Sequence, residues 1–375
     1  MTLDHDRQEL AKEYAHIRYR LLILDLVIGG AYLLSWLVFD WSLKLSTSLE
    51  KIFTNEWFLV AGFAAFFGGV YYLISLPLSL YESYFLPHRF QLSNQSLKGW
   101  IGDQVKGLVI GGTIGLIVLE IIYALLRAAP ETWWLWAGGF LLIFNVILAN
   151  IAPILLFPLF FKFIPLGEDH ADLTQRLTTL AEKAGTHVQG VYKFDMSRRT
   201  KAANAALTGL GNTRRIILGD TLLNEFNTDE IETVLAHELG HHVHKDIPIG
   251  IFVEATITLV GLYLVSLTMK WGVTAIGFSS TADVASMPLF GLVLAFYGLL
   301  TMPVINSFSR WREKKADEYS ILITGKKQAY ASALARLANQ NLADANPEPW
   351  IEFLLYSHPS INRRIKTVLS ASTES

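Results

Sequence analysis

His237 and His241 stand four residues apart, with Glu238 between them, in the stretch TVLAHELGHHVHKD. On a helix, positions i and i+4 share a face, so two imidazoles at this spacing can grip one zinc ion. The carboxylate of Glu238, one step round, would then stand beside a metal-bound water whose pKa zinc lowers toward about 7. A Lewis acid next to a general base is the combination that attack on a peptide carbonyl requires. The plain alternative is a surface helix that happens to carry two histidines and an acid. Its flanks argue otherwise: Val234, Leu235, Ala236 and Leu239 are apolar, and Gly240 leaves room beside the site. Asn227 with Glu230 also offers a capping box at the helix start. The pattern predicts a zinc-dependent peptidase with one Zn2+ per chain.

A catalytic zinc site usually has three protein ligands and a water. The chain has no cysteine, so thiolate ligands and disulfides are excluded and the third ligand must be a histidine or a carboxylate. A third histidine six residues after the motif is ruled out, because Ile247 occupies that position. A later segment, SRWREKKADEY, offers Glu313 as a ligand, with Asp317 one helical turn on as the carboxylate that orients a ligand histidine. By spacing alone, an exposed charged helix is an equal reading of that segment. His242 and His244 are expected to face solvent or to stand behind the ligands.

Something must hold these residues, and composition points to a membrane body. Of 375 residues 52% are hydrophobic and 17% charged, against about 25% charged in an ordinary soluble domain. Apolar runs near the roughly 20 residues needed to span a bilayer recur at 21–39, 57–80, 107–126, 133–155, 247–269 and 288–308. The expected fold is therefore mainly α, a polytopic membrane protein of about six transmembrane helices with a small α/β zinc-metallopeptidase (gluzincin-like) unit. The layout reads as four spans in 1–163, a catalytic unit in 164–246, two further spans in 247–308, and a second catalytic segment in 309–375. Acids interrupt the apolar runs at Asp25, Glu120 and Glu254, where a lipid-facing charge would cost a few kcal/mol. A water-filled interior is one reading of them, and proximity of Asp25 and Glu120 to an interface is an equal one.

Lys and Arg number four in residues 1–20, two in 42–56, three in 82–106, none in 128–132, none in 271–287 and six in 310–327. This alternation predicts both termini and the 164–246 unit on the cytoplasmic side. The first twenty residues mix four acids with four bases and do not resemble a cleavable signal, so the first span is expected to remain as an anchor. A net charge of −2 gives no reason to expect a nucleic-acid partner.

Within the catalytic parts, 173–184 reads as an amphipathic helix ended by Gly185, with short strands at 187–195 and 215–218 and NAALTGLGN between them. Further helices are expected at 309–323, 328–339 and 357–370, with 343–349 as a loop.

Along most of its length the chain resembles the type 1 CAAX prenyl protease family of integral-membrane zinc peptidases. HELGHH is similar to that family's zinc helix and SRWREKKADEY to its second helix, with the ligand glutamate falling on Glu313 and the aspartate on Asp317. SRRTKAANAALTG with RIILGDTLL resembles the substrate-strand region, and the family's Asn-Ala pair falls on Asn204 and Ala205. SHPSINRRI is similar to a His-Pro segment whose histidine and arginine fall on His358 and Arg364. The amino-terminal loop YESYFLPHRFQLSNQSLKGWIGDQVKG resembles the loop between early spans. The resemblance implies that Asn204 and Ala205 help bind an extended substrate, and that His358 and Arg364 stabilise the oxyanion. It also implies a chamber enclosed by the spans, membrane lipid around them, and a peptide or protein substrate that can be prenylated. Departures are Ala206, where an aromatic often follows Asn-Ala, the HRFQL loop, and six spans where eukaryotic members carry seven.

Two other functions fit parts of the pattern. An HtpX-like quality-control protease of misfolded membrane proteins shares the chemistry, but its region before the zinc helix is shorter. An inactive membrane scaffold or transporter is disfavoured by the complete set of His237, Glu238, His241 and Glu313. The expected location is the bacterial inner (cytoplasmic) membrane, with the site on the cytoplasmic side.

Overall fold

The computed structural model describes residues 3–209 and 214–371. Among them six helices are long and apolar enough to cross a membrane, one for each expected run. The first, α1 (His5–Val38), has 34 residues, and at about 1.5 Å per residue it reaches well past a hydrocarbon core of ~30 Å. Its amino-terminal overhang carries Ala11, which packs with Leu86, Phe90, Leu92 and Leu342 and so joins the membrane body to the carboxyl-terminal segment. A short helix, α2 (Trp41–Glu50), occupies most of the 42–56 connection.

Helix α3 (Glu56–Leu80) runs through a wide π-turn at Tyr81–Phe85 into α4 (Leu86–Arg89). Pro87 has no N–H to return to the preceding turn, which is where such a widening is tolerated. Helices α5 (Leu97–Ala128) and α6 (Trp133–Ile151) follow. Beyond α6 the proline-rich exit unwinds through a second π-turn at Ala152–Leu156 and a short 3-10 turn at Phe157–Leu159.

A four-stranded sheet and three helices come next: β1 (Phe163–Pro165), α7 (Ala171–Lys183), β2 (Val191–Phe194), β3 (Ala205–Thr208), β4 (Arg215–Gly219), α8 (Asp220–Glu225) and α9 (Thr228–Val243). The strand order is β1-β2-β4-β3, with β2 and β4 parallel and the outer strands antiparallel to their neighbours. Strand β3 therefore lies at the sheet edge. The capping box of α9 is formed, Asn227 and Glu230 exchanging two 3.0 Å bonds. Ile231, Leu235 and Leu239 of α9 are buried against Ile216 and Leu218 of β4 and Leu173, Leu177 and Leu180 of α7.

Helices α10 (Asp246–Ala275) and α11 (Met287–Thr324) cross the membrane, and α11 continues out of it as one unbroken rod. The chain ends with α12 (Lys327–Gln340), α13 (Pro349–Leu355) and α14 (Ile361–Ser370). Three expectations are corrected. The 187–195 strand shrinks to Val191–Phe194, the segment read only as a connection contains β3, and the last helix starts at Ile361, since Pro359 cannot donate a helical bond. Helix α13 was not anticipated.

Two helices meet at a glycine. A Cβ placed on Gly240 would sit 2.9 Å from the Cα of Ala316, so α9 and α11 touch backbone to backbone here. Ser320 of α11 also donates to the Thr233 carbonyl of α9 at 2.8 Å. In Gly240→Ala, helix propensity favours alanine by about 1 kcal/mol, whereas overpacking typically costs 1–3 kcal/mol and must push the helices apart. The variant is expected to unfold at lower temperature in detergent; an unfolding temperature equal to or above that of the unaltered protein would contradict this close contact.

Candidate active site

One turn of α9 separates His237 from His241, and their Nε2 atoms lie 3.2 Å apart. From α11, Glu313 presents Oε2 at 3.3 Å from His237 Nε2 and Oε1 at 3.3 Å from His241 Nε2. One nitrogen or oxygen from each of these residues falls within 4.8 Å of the others. Among the described residues this is the grouping of histidine and acid that could hold a metal. The donor set fits a divalent transition metal, since two imidazoles and one carboxylate face a common point. Glu313 Oε2 is buried and accepts no hydrogen bond, which leaves a lone pair free for a metal.

Behind His237 stands a polar network. Its Nδ1 lies 2.9 Å from Asp317 Oδ1 and 2.9 Å from the hydroxyl of Tyr330. Tyr330 donates to Asp317 at 2.5 Å, and Arg364 donates to both oxygens of Asp317 at 2.9 and 2.6 Å. All four side chains are buried. The remaining terminal nitrogen of Arg364 is 3.7 Å from Glu313 Oε2. Behind His241 the acceptor is Asp246, 2.7 Å from Nδ1.

Glu238 is half-buried on the same helix, and loss of solvent pushes its carboxyl above the usual carboxylate range. His358, on the loop before α14, has a half-exposed side chain whose Nε2 is 3.3 Å from Glu313 Oε1. Asn204 is exposed just before β3, and its carbonyl accepts from the Gly219 amide at 2.9 Å. Ala205 is buried as the first residue of β3. The residue before them, Ala203, is held on both sides of its peptide by Asn341, at 2.9 Å to its N–H and 3.2 Å from its carbonyl.

The structure thus gathers His237, Glu238, His241, Glu313, Asp317, His358 and Arg364, while Asn204 and Ala205 stand just before and at the start of β3, which packs beside α9. His242 and His244 do not join the metal-binding group; His244 packs edge-on against Tyr319 instead. Sequence reasoning missed Tyr330, Asp246 and Asn341. Tyr330 falls on a buried helical position like any core aromatic, and Asp246 reads as an ordinary acid in a helix first turn. On the membrane side, a cavity of about 470 Å³ opens at His241 and Glu313 and is lined by Val253, Glu254, Ile305 and Phe308. Glu254 therefore faces this cavity, whereas Glu120 is buried within its helix packing.

Residues 168–372 match peptidase family M48, and residues 2–162 match the family described as CAAX prenyl protease N-terminal, five membrane helices. Four of the six candidate spans fall in that amino-terminal region. Relatives include the uncharacterized metalloprotease YhfN of Bacillus subtilis, 28% identical over 95% of this chain and 84% of that protein. CAAX prenyl protease 1 of Saccharomyces cerevisiae is 30% identical over 78% of this chain and 68% of its own. The Arabidopsis thaliana CAAX prenyl protease 1 homolog is 28% identical over 79% and 70%. In fold the chain is similar to the crystal structure of S. mikatae Ste24p, with a TM-score of 0.88, 24% identity, and coverage of 98% of this chain and 90% of that one.

From this geometry Glu313→Ala is expected to strip bound metal in elemental analysis, as His237→Ala and His241→Ala should. Asp317→Ala is expected to retain part of the metal and lose about 10–100-fold in activity, as for residues that orient a ligand. Full metal in Glu313→Ala, with loss in Glu318→Ala, would show that a different face of α11 meets the metal.

Proposed function

The chain belongs to peptidase family M48 and is an integral, multi-pass membrane metalloprotease, and from that premise we propose that it uses one zinc ion to cleave near the carboxyl terminus of a peptide that can carry a prenyl group. His237, His241 and Glu313 hold the zinc. Bound there, it would lower the pKa of a water toward about 7 and polarise the scissile carbonyl. Glu238 takes the proton from the attacking water and delivers it to the leaving amine; its raised pKa suits a group that must both accept and return a proton. Asp317 fixes the ring of His237, and Arg364 and Tyr330 fix Asp317.

His358 and Arg364 are the groups that meet negative charge developing on the carbonyl oxygen. The half-exposed His358 can approach a substrate directly, whereas Arg364 donates through Nε and Nη2 to Asp317 and Tyr330 and contributes chiefly its positive charge. Asn204, Ala205 and the open edge of β3 bind the substrate backbone as an added strand, with Asn341 holding the approach to that strand. The preponderance of Lys and Arg in alternate loops favours a site on the cytoplasmic side, in the inner membrane if the chain is bacterial.

The observation that carries the substrate reading is the cavity of about 470 Å³ beside His241 and Glu313, whose one wall of Val253, Ile257, Ile305 and Phe308 suits an apolar tail, while Asp246, Glu254 and Arg312 line the rest. The CAAX proteases named among the relatives support it. Quality-control proteolysis of the HtpX type is disfavoured, because the match to the CAAX prenyl protease N-terminal family covers residues 2–162.

Glu238→Gln is expected to keep its zinc and lose turnover, since the carboxylate handles protons and does not ligate; retained turnover would mean that another group is the base. For the substrate, purified protein in detergent is expected to release a tripeptide from a carboxyl-terminal Cys-a-a-X peptide, faster when the cysteine is farnesylated, with a zinc chelator stopping the reaction. Equal rates on farnesylated and bare peptides, together with strong casein cleavage, would rule out prenyl-directed specificity and leave a general membrane protease.

A further inference from the structure

An imidazole that binds a metal through Nε2 carries its proton on Nδ1, and that proton needs an acceptor. For His237 the acceptor is Asp317, with Arg364 behind it. For His241 it is Asp246, the first residue of α10. Resting on the reading that His237, His241 and Glu313 hold the metal, we propose that Asp246 is a positioning residue of the metal centre. Backed by Arg312, it fixes the tautomer and ring direction of His241. The site then contains two parallel chains of histidine, aspartate and arginine, one behind each ligand ring.

Three observations carry this. Asp246 and Arg312 have side chains only 13% and 8% exposed and border the cavity at His241, so their ion pair is largely shielded from bulk water, unlike that of an ordinary acid at a helix start. Arg312 also donates to the His244 carbonyl at 2.5 Å, so one guanidinium from α11 clamps both sides of the turn between α9 and α10. That turn is two residues long, and Lys245 within it takes φ of 56°, a left-handed conformation that a non-glycine residue seldom adopts. The turn brings the Asp246 carboxylate back against a ring five positions earlier. Helix α11 thus supplies Arg312 for Asp246, Glu313 for the metal and Asp317 for His237 within six consecutive residues. It also ties the site to the point where the fifth span begins.

The competing role for Asp246 is a plain favourable charge at the amino terminus of α10. That role predicts lower stability and unchanged metal affinity. The test is a titration of the metal-free full-length protein in detergent with Zn2+ against a competing chelator, repeated with Co2+ to read its d–d spectrum. Asp246→Ala is expected to bind Zn2+ about 10–100-fold more weakly and to shift the Co2+ bands. Asp246→Asn, whose amide oxygen still accepts from Nδ1–H, is expected to stay within a few-fold of the unaltered protein. Should Asp246→Ala fail to fold, Arg312→Lys carries the test, with a several-fold weaker affinity expected from its shorter reach. Unchanged affinity and an unchanged Co2+ spectrum in whichever variant carries the test overturn the inference, provided His241→Ala has lost its metal. If His241→Ala also binds as tightly as the unaltered protein, it is the metal-holding reading itself that fails.

Discussion

The backbone contact between α9 and α11 at Gly240 and Ala316 is the constraint on which the site depends. His237 and His241 come from one helix and Glu313 from the other, and two membrane spans separate them in sequence. A metal ligand set tolerates errors of only a few tenths of an ångström. Two helices can hold that tolerance across such a chain separation only if they are packed without slack. A glycine opposite an alanine lets the two helix backbones come into contact, and the 2.8 Å bond from Ser320 to the Thr233 carbonyl fixes their stagger. Because α11 continues unbroken from the membrane, the position of Glu313 is set by a helix that the membrane body anchors.

Charge burial behind the ligands is the second layer. Removing Asp317 and Arg364 from water costs several kcal/mol per ion, and this is offset only because Arg364 meets both carboxylate oxygens and Tyr330 adds a third donor. Breaking such a pair from one side typically costs 3–5 kcal/mol, since the partner stays buried and uncompensated. Loss of activity in Arg364→Ala would therefore mix lost folding with lost catalysis. Tyr330 and His358 are cleaner probes, because neither leaves a full charge stranded.

Much of this was legible in the sequence, for physical reasons that differ by element. The spans announce themselves by length and apolarity, and the histidine helix by a spacing that a helix turns into neighbouring positions on one face. Asn227 and Glu230 made the start of α9 readable, and the capping box is formed. Glu313 and Asp317 could be seen only as an i, i+4 pair on a charged helix, equally good as a solvated face; their burial comes from α9, α12 and α14 closing over them. Strand β3 was hidden because AALT has no strong strand propensity, and its pairing partner β4 lies across a connection. Tyr330 and Asp246 act through contacts 93 and 5 residues away in sequence, respectively, and nothing in their local pattern distinguishes them from a core aromatic and a helix-start acid.

In the proposed site, two histidines of one helix and a glutamate of another make the whole protein contribution to the metal. X-ray absorption of the zinc-loaded protein in detergent tests it most directly. The expected spectrum has two imidazoles at about 2.0–2.1 Å with the remaining positions filled by oxygen at about 2.0–2.2 Å, and it is lost in Glu313→Ala. A shell of three imidazoles, with His358 or His242 as the third, would contradict it.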